Sequence, residues 1–147
     1  MHTQPSGAGP SAALVDDLFR RKLRRTGLRM AILAILEQAG THLSVSELGR
    51  LAIAVQPTIN TSTVYRNVAA MRDSGVLHSI DYAGETLFGL ARTPHHHLVC
   101  DQCGTLVEIP AEQFASVAAG LASSCGFALS PAGQVLHGRC QGCAGAL

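Results

Sequence analysis

Asn60-Thr-Ser-Thr-Val-Tyr-Arg-Asn-Val-Ala-Ala-Met-Arg-Asp73, then Ser74-Gly75, then Val76-Leu-His-Ser-Ile-Asp-Tyr82, Ala83-Gly84 and Glu85-Thr-Leu-Phe-Gly-Leu90, is the stretch that decides the fold. Val64, Val68 and Met71 recur at helical spacing, and Asn60 or Thr61 can cap the helix they define. After Ser74-Gly75 the period changes. Two strand-like runs flank Ala83-Gly84, which reads as a hairpin turn. A helix running into a β-hairpin is the second half of a winged helix. With Val64 and Val68 inward, the helix exposes Thr61, Thr63, Tyr65, Arg66 and Arg72 to a major groove.

The residues upstream supply the helices that such a fold requires. Leu14, Val15 and Leu18 begin an apolar stripe that leads into the basic run Arg20–Arg25. Leu28, Ile32, Ile35, Leu36 and Ala39 mark a second helix, ended by Gly40. Ser44-Val-Ser-Glu47 reads as a capping box opening a third, with Val45, Leu48, Leu51, Ala52 and Val55 on one face. Pro57 breaks the chain before the recognition helix.

Composition narrows the class. The chain has 147 residues, 47 % apolar and 14 % charged, enough to bury a core and too apolar for intrinsic disorder. No apolar run approaches the roughly 18 residues of a membrane span, and Met1–Pro10 has no apolar signal segment. The expectation is a cytoplasmic protein without a membrane partner. Net charge is +1, but residues 1–75 hold nine Lys/Arg against five acids, and residues 76–147 hold two against five. A basic front half suits a polyanion, and an acidic back half implies a second task.

The expected organisation is α+β: a disordered leader over 1–12, a winged-helix DNA-binding domain over 13–90, a hinge over 91–94 and a small α/β metal-binding and dimerisation domain over 95–147. In the last, strands are expected around Leu98-Val99, over Thr105–Ile109, Phe127–Leu129 and Gln134–Gly138. Between them a helix is expected to start at Pro110, bury Phe114, Val117, Ala118 and Leu121, and end at Gly126. So small a unit needs a metal, a second copy, or both.

Its cysteines supply the first. Cys100, Cys103, Cys140 and Cys143 form two Cys-x-x-Cys pairs, the donor set of a structural zinc. Cys125 is left over, and is expected to be a small buried apolar residue. His95-His-His97 lies just ahead of Cys100. On a strand, His95 and His97 share one face and His96 takes the other, so the pair begins a site for zinc, iron(II), nickel or manganese. His42, His78 and His137 read as structural on spacing alone.

Four passages together resemble the ferric uptake regulator family of metal-dependent transcriptional repressors: Arg24-Arg-Thr-Gly-Leu-Arg29 with Ala31-Ile-Leu33; Asn60-Thr-Ser-Thr-Val-Tyr-Arg66; His95-His-His-Leu-Val-Cys-Asp-Gln-Cys-Gly104; and Gly138-Arg-Cys-Gln-Gly-Cys143. The resemblance implies a homodimer on double-stranded operator DNA, a structural zinc on the four cysteines, and a regulatory divalent metal (Fe2+, Zn2+, Ni2+ or Mn2+) at the hinge. It places His42, His95, His97 and Glu108 at the regulatory metal. The DNA-binding set is then Arg24, Arg25, Thr26, Arg29, Thr61, Thr63, Tyr65 and Arg66, with phosphates expected at Arg20–Arg25 and Arg29 and bases at Tyr65 and Arg66 with the Thr61–Thr63 hydroxyls. The resemblance makes the chain a regulator and not an enzyme; the alternatives are a peroxide-sensing member, a metal-buffering protein and a zinc hydrolase.

The chain departs from the family pattern. Many members carry a carboxylate after the hairpin's aromatic residue, and here Phe88 is followed by Gly89. Asp81, Glu85, His78 and His96 are the candidates to replace it. Leu90 to Pro94 contain no cysteine of the kind found in zinc-sensing relatives, and Ala115 and Ala132 cannot ligate a third metal.

Overall fold

The computed structural model describes residues 9–145, which divide into two compact units parting between Arg92 and Thr93. Residues 1–8 of the expected leader lie outside the described residues. Ala12, the leader's last residue, already opens a helix.

The first unit runs α1 (Ala12–Arg20), α2 (Gly27–Ala39), β1 (Leu43–Ser44), α3 (Val45–Val55), α4 (Thr61–Asp73), β2 (Leu77–Tyr82) and β3 (Glu85–Leu90). Its core takes in Leu14 and Leu18 from α1, Ile32, Leu33 and Leu36 from α2, Leu48 and Ala52 from α3, and Val64, Val68 and Met71 from α4; Leu33 joins the residues the periodicity marks, while Ala39 and Val55, at or near the ends of their helices, are exposed. Each buried Leu, Ile, Val or Met side chain among them contributes about 1.5–3 kcal/mol. Polar groups fix where the helices start. The Thr26 hydroxyl accepts the Arg29 N–H at 3.3 Å and so caps α2. Ser44 and Glu47 exchange the two hydrogen bonds of the capping box. Asn60, and not Thr61, caps α4, accepting the Thr63 N–H at 2.8 Å.

The hairpin turns at Ala83-Gly84, where φ is +49° and +81°, the mirror-image turn that matches strand twist. The short strand β1 was not legible in the sequence. It pairs antiparallel with β3, so the sheet order is β1-β3-β2 and β3 is the central strand. Its register sets Leu43 opposite Phe88, while the hairpin sets His78 opposite Gly89.

The second unit holds β4 (His95–Cys100), β5 (Leu106–Pro110), a 3-10 turn at Ala111–Phe114, α5 (Ala115–Cys125), β6 (Val135–Gly138) and α6 (Gln141–Ala144). β4 is central, antiparallel to β5 and parallel to β6. Three expectations need correction. Phe127–Leu129 is not a strand: the Phe127 N–H is used to close α5 on the Leu121 carbonyl, so no ladder starts there. Pro110 ends β5 and only then leads into the 3-10 turn, so α5 begins at Ala115. Cys125 is exposed at the end of α5, its thiol donating to the Leu121 carbonyl at 3.0 Å; α5 buries none of its residues within this single chain. No helix among the described residues is long and apolar enough to cross a membrane.

Candidate metal centres and nucleic-acid interface

The four paired cysteines converge. Cys100 ends β4, and Cys103 follows in a turn closed by the Gly104 N–H on the Cys100 carbonyl. Gly104 has φ +76°, a conformation that favours glycine, which is why this knuckle ends in one. Cys140 caps the single turn α6, and the Cys143 N–H returns to the Cys140 carbonyl. All four sulfurs lie within 4.8 Å of one another. Cys103 Sγ and Cys140 Sγ are 3.7 Å apart. Zinc–sulfur bonds of about 2.3 Å place tetrahedral thiolates about 3.8 Å apart, so the spacing fits a zinc ion.

The thiols differ in acidity. The Cys140 N–H donates to Cys100 Sγ at 3.4 Å and, with further amides of the knuckle, holds that thiol down to about 6. The Thr105 hydroxyl lowers Cys103. The neighbouring thiols, Cys140 foremost, push Cys143 up to about 12. Cys100 and Cys103 are held low while Cys143 is pushed up, so the cluster resists holding its thiolates all at once. A divalent cation resolves that conflict, so the donor chemistry also fits zinc.

Just ahead of the knuckle, β4 sorts its histidines by face. His95 and His97 meet edge to face with ring centroids 4.8 Å apart, and Glu108 lies opposite His97 on β5 with a carboxylate oxygen 3.8 Å from His95 Nε2. The His95 Nδ1–H donates to the Thr93 carbonyl at 2.8 Å, which leaves Nε2 as the lone-pair nitrogen. Burial first, then the neighbouring His95, holds His97 below its ordinary value and keeps it neutral, the state a ligand needs. His96 takes the other face, as the alternation predicts: it packs on Phe114 and accepts the Gln134 N–H at 3.1 Å. His137 pairs with Asp101 at 2.9 Å in an exposed position.

In the first unit, His42 is buried, just ahead of β1. Its ring stacks on His78 with centroids 4.7 Å apart and planes 15° from parallel, and the Nε2 atoms of the two rings face one another in a hydrogen bond. Gly89 lies beside the pair: a Cβ there would stand 2.6 Å from His42 Nε2. Spacing alone suggested a structural role for His78; the hairpin register, which sets residue 78 opposite residue 89, was the signal that linked it to His42.

The α4 surface carries the expected base-reading side chains. Thr61, Tyr65 and Arg66 are exposed, Tyr65 by 60 %, beside a cleft that it lines together with Glu85, Thr86 and Phe88 of the wing. Ser62, overlooked in the spacing argument, is exposed beside them. Thr63 is half-buried: its hydroxyl donates to Asn60 at 2.9 Å and accepts from Arg66 at 3.4 Å, which ties it to the cap. Arg24, Arg25 and Thr26 are exposed. Arg29 is half-buried, its guanidinium donating to Asn67 Oδ1 at 3.0 Å and to the Arg24 carbonyl at 3.1 Å, so it braces α2 against α4.

The model of the ferric uptake regulator family matches residues 20–133. The ferric uptake regulation protein of Synechococcus elongatus is 29 % identical, the match covering 90 % of this chain and 94 % of that protein. The protein of the same name from Bordetella parapertussis is 32 % identical over 87 % of this chain and 94 % of its own length. Among solved structures, the ferric uptake regulator of Pseudomonas aeruginosa with manganese superposes with a TM-score of 0.69 at 25 % identity, covering 86 % of this chain and 97 % of that one.

Proposed function

The chain belongs to the ferric uptake regulator family, and from that premise we propose that it is a metal-responsive transcriptional repressor, a regulator and not an enzyme. The observation that carries this reading is the face of β4 on which His95 and His97 stand with Glu108 opposite, in a chain whose other unit exposes Tyr65 and Arg66 on a winged-helix recognition helix.

In this reading the four cysteines hold a permanent zinc that ties the end of the chain back onto β4. His95, His97 and Glu108 join His42 of the DNA-binding unit around a second, exchangeable divalent metal. Because His42 belongs to one unit and the other ligands to the next, the ion favours the arrangement in which all of them reach it. Metal and DNA are then coupled reciprocally, each tightening the other by the same factor.

A second copy completes the protein. Val107, Val117 and Phe127 are exposed in the second unit, and α5 buries nothing within one chain, which supports a homodimer covering these side chains. Two copies of α4 then address the half-sites of a pseudo-palindromic operator. The site of action is the cytoplasm, where thiols stay reduced and available to zinc.

The experiment is an electrophoretic mobility shift on promoter DNA with the four-cysteine zinc in place. Removing the exchangeable metal with a mild chelator releases the DNA, and adding a divalent metal restores the complex. Equal affinity with and without chelator overturns the metal response.

A further inference from the structure

We propose that Arg21 is a positioning residue for DNA recognition: its guanidinium ties the end of α1 to the end of α4 and sets the tilt of the recognition helix. It acts on operator selectivity through Tyr65 and Arg66 and makes no phosphate contact of its own. The proposal rests on the DNA-binding reading above and withdraws from the phosphate set one residue that the basic run Arg20–Arg25 had placed there.

The end of α1 is a tight reversal. Lys22 takes a left-handed conformation, φ +58°, with its N–H closing on the Phe19 carbonyl and that of Leu23 on the Leu18 carbonyl, both at 3.0 Å. The reversal divides the basic run. Lys22, Arg24 and Arg25 are exposed. Arg21, just ahead of the turn, is committed within the fold. Its Nε donates to Asp17, one turn earlier, at 3.1 Å, and its Nη1 donates to the Ser74 carbonyl at 3.0 Å. Arg20 reaches Asp17 only at 3.5 Å, and its side chain is 73 % exposed against 38 % for Arg21. The path to Ser74 passes over Gly75, where a Cβ would stand 2.7 Å from Arg21 Nη1. The glycine thus leaves room for the guanidinium.

Ser74 is the C-cap of α4, so the guanidinium sits at the negative end of that helix's dipole. Val64, Val68 and Met71 decide which face of α4 is inward, but apolar packing is non-directional. Directional contacts come from guanidinium groups: Arg29 on α2 holds Asn67, and Arg21 at the end of α1 holds Ser74. These two points lie about 10 Å apart along the axis at roughly 1.5 Å per residue. Tyr65 and Arg66 lie beyond Asn67, on the side away from Ser74. With Ser74 released, α4 can tilt about Asn67, and a tilt moves both side chains away from the geometry that a base contact requires. A lysine at position 21 would serve a phosphate as a point charge, but it lacks the planar fork that bonds Asp17 and Ser74 together.

The test is a mobility shift with the full chain, zinc on the four cysteines and an excess of the divalent metal that restores the complex. Native protein, Arg21→Ala, Arg21→Lys and the phosphate-side control Arg25→Ala are titrated at several salt concentrations, below the melting temperature of each. The probes are the promoter fragment and a scrambled duplex of equal length. We expect both Arg21 variants to lose at least about fivefold in affinity for the promoter, short of the roughly 10-fold or more that outright loss of a base contact costs. On the scrambled duplex they stay within about twofold of native, and their slope of log affinity against log salt is unchanged, unlike that of Arg25→Ala. If Arg21→Ala weakens both duplexes alike with a lowered slope, and Arg21→Lys restores them, Arg21 is a phosphate contact and the proposal fails. If both variants bind both duplexes as the native chain does and merely melt lower, the bond adds stability alone and the proposal again fails. In either case the regulatory reading stands. If the native chain itself prefers the promoter no more than the scrambled duplex, both fail.

Discussion

Cys103 and Cys140, 37 positions apart, bring their sulfurs to 3.7 Å, the edge length of a zinc–thiolate tetrahedron. The unit they close has a three-stranded sheet and a helix that buries nothing within one chain, so a zinc on these sulfurs would add to the β4–β6 ladder in holding the second knuckle in place. Cys103→Ser and Cys140→Ser should each release the structural zinc and unfold the second unit first. Metal analysis after gel filtration, with amide exchange over β4 and β6, checks this. Retention of one equivalent of zinc with native protection in both variants contradicts it.

A Cβ at position 89 tests the opening over β3. Gly89→Ala puts a methyl group 2.6 Å from His42 Nε2, so the His42 ring must move. Overpacking of this kind costs about 1–3 kcal/mol, and here the displaced group is also a proposed ligand. The second-site metal affinity should fall while the four-cysteine zinc stays bound. Thermal melting and metal competition on the same sample separate the two effects.

The first unit was legible because its signals are local. Val64, Val68 and Met71 mark the inner face of α4 by period alone, and Ser44–Glu47 and Ala83-Gly84 fix a cap and a turn within a few residues. The alternation of His95, His96 and His97 was equally legible, since a strand permits only one assignment of faces. What escaped depended on distant partners. β1 is two residues long and exists because β3 offers it a ladder. His78 meets His42 through a register spanning three strands. Phe127 looked like a strand start, but its amide was already committed to the end of α5. Cys125 looked like a core residue, but α5 lacks a core in one chain.

The family resemblance implies a phosphate contact for Arg29, yet its guanidinium braces two helices. It donates to Asn67 on α4 and to the Arg24 carbonyl ahead of α2. Arg29→Ala should therefore lower stability by about 1–2 kcal/mol in the absence of DNA, since a bond to an ionised donor is worth somewhat more than a neutral one and part of it here is solvent-exposed. Urea denaturation measures it. A variant as stable as the native chain but defective on DNA would return Arg29 to the phosphate-binding set.

Glu37 gives a pH dependence whose sign is fixed. Its carboxylate accepts the Ser11 N–H at 2.9 Å at the start of α1 and pairs with Arg92 at 3.2 Å. The Ser11 amide foremost, with help from Arg92, holds it below its ordinary value of 4.5. The folded state thus binds fewer protons than the unfolded one just below that value. The contribution is complete above pH 4.5 and fades as pH falls through the lowered value. Glu37→Gln should flatten this part of the acid limb of the melting-temperature profile. An unchanged acid limb in the variant counts against the contact.

On DNA, the two groups of basic and polar residues should separate by their response to salt. Arg24 and Arg25 are exposed just ahead of α2, outside α4, and are the proposed phosphate contacts. Replacing either by alanine should weaken binding on every sequence and reduce the slope of log affinity against log salt by about 1.8 for the dimer, about 0.9 from each copy. Tyr65 and Arg66 are exposed on α4, the proposed recognition helix. Arg66→Ala should cost about 1–3 kcal/mol per half-site of the operator and far less on unrelated DNA, because discrimination by a base contact vanishes where no cognate base is present. Its guanidinium also touches Thr63 at 3.4 Å, so part of that loss comes from a less ordered recognition surface. A Thr63→Val variant isolates this share: it keeps the shape of residue 63 and removes the hydroxyl that bonds Asn60 and Arg66. If Arg66→Ala and Arg25→Ala give the same salt slope and the same loss on both DNAs, the recognition helix reads backbone alone, and the operator is specified by its shape.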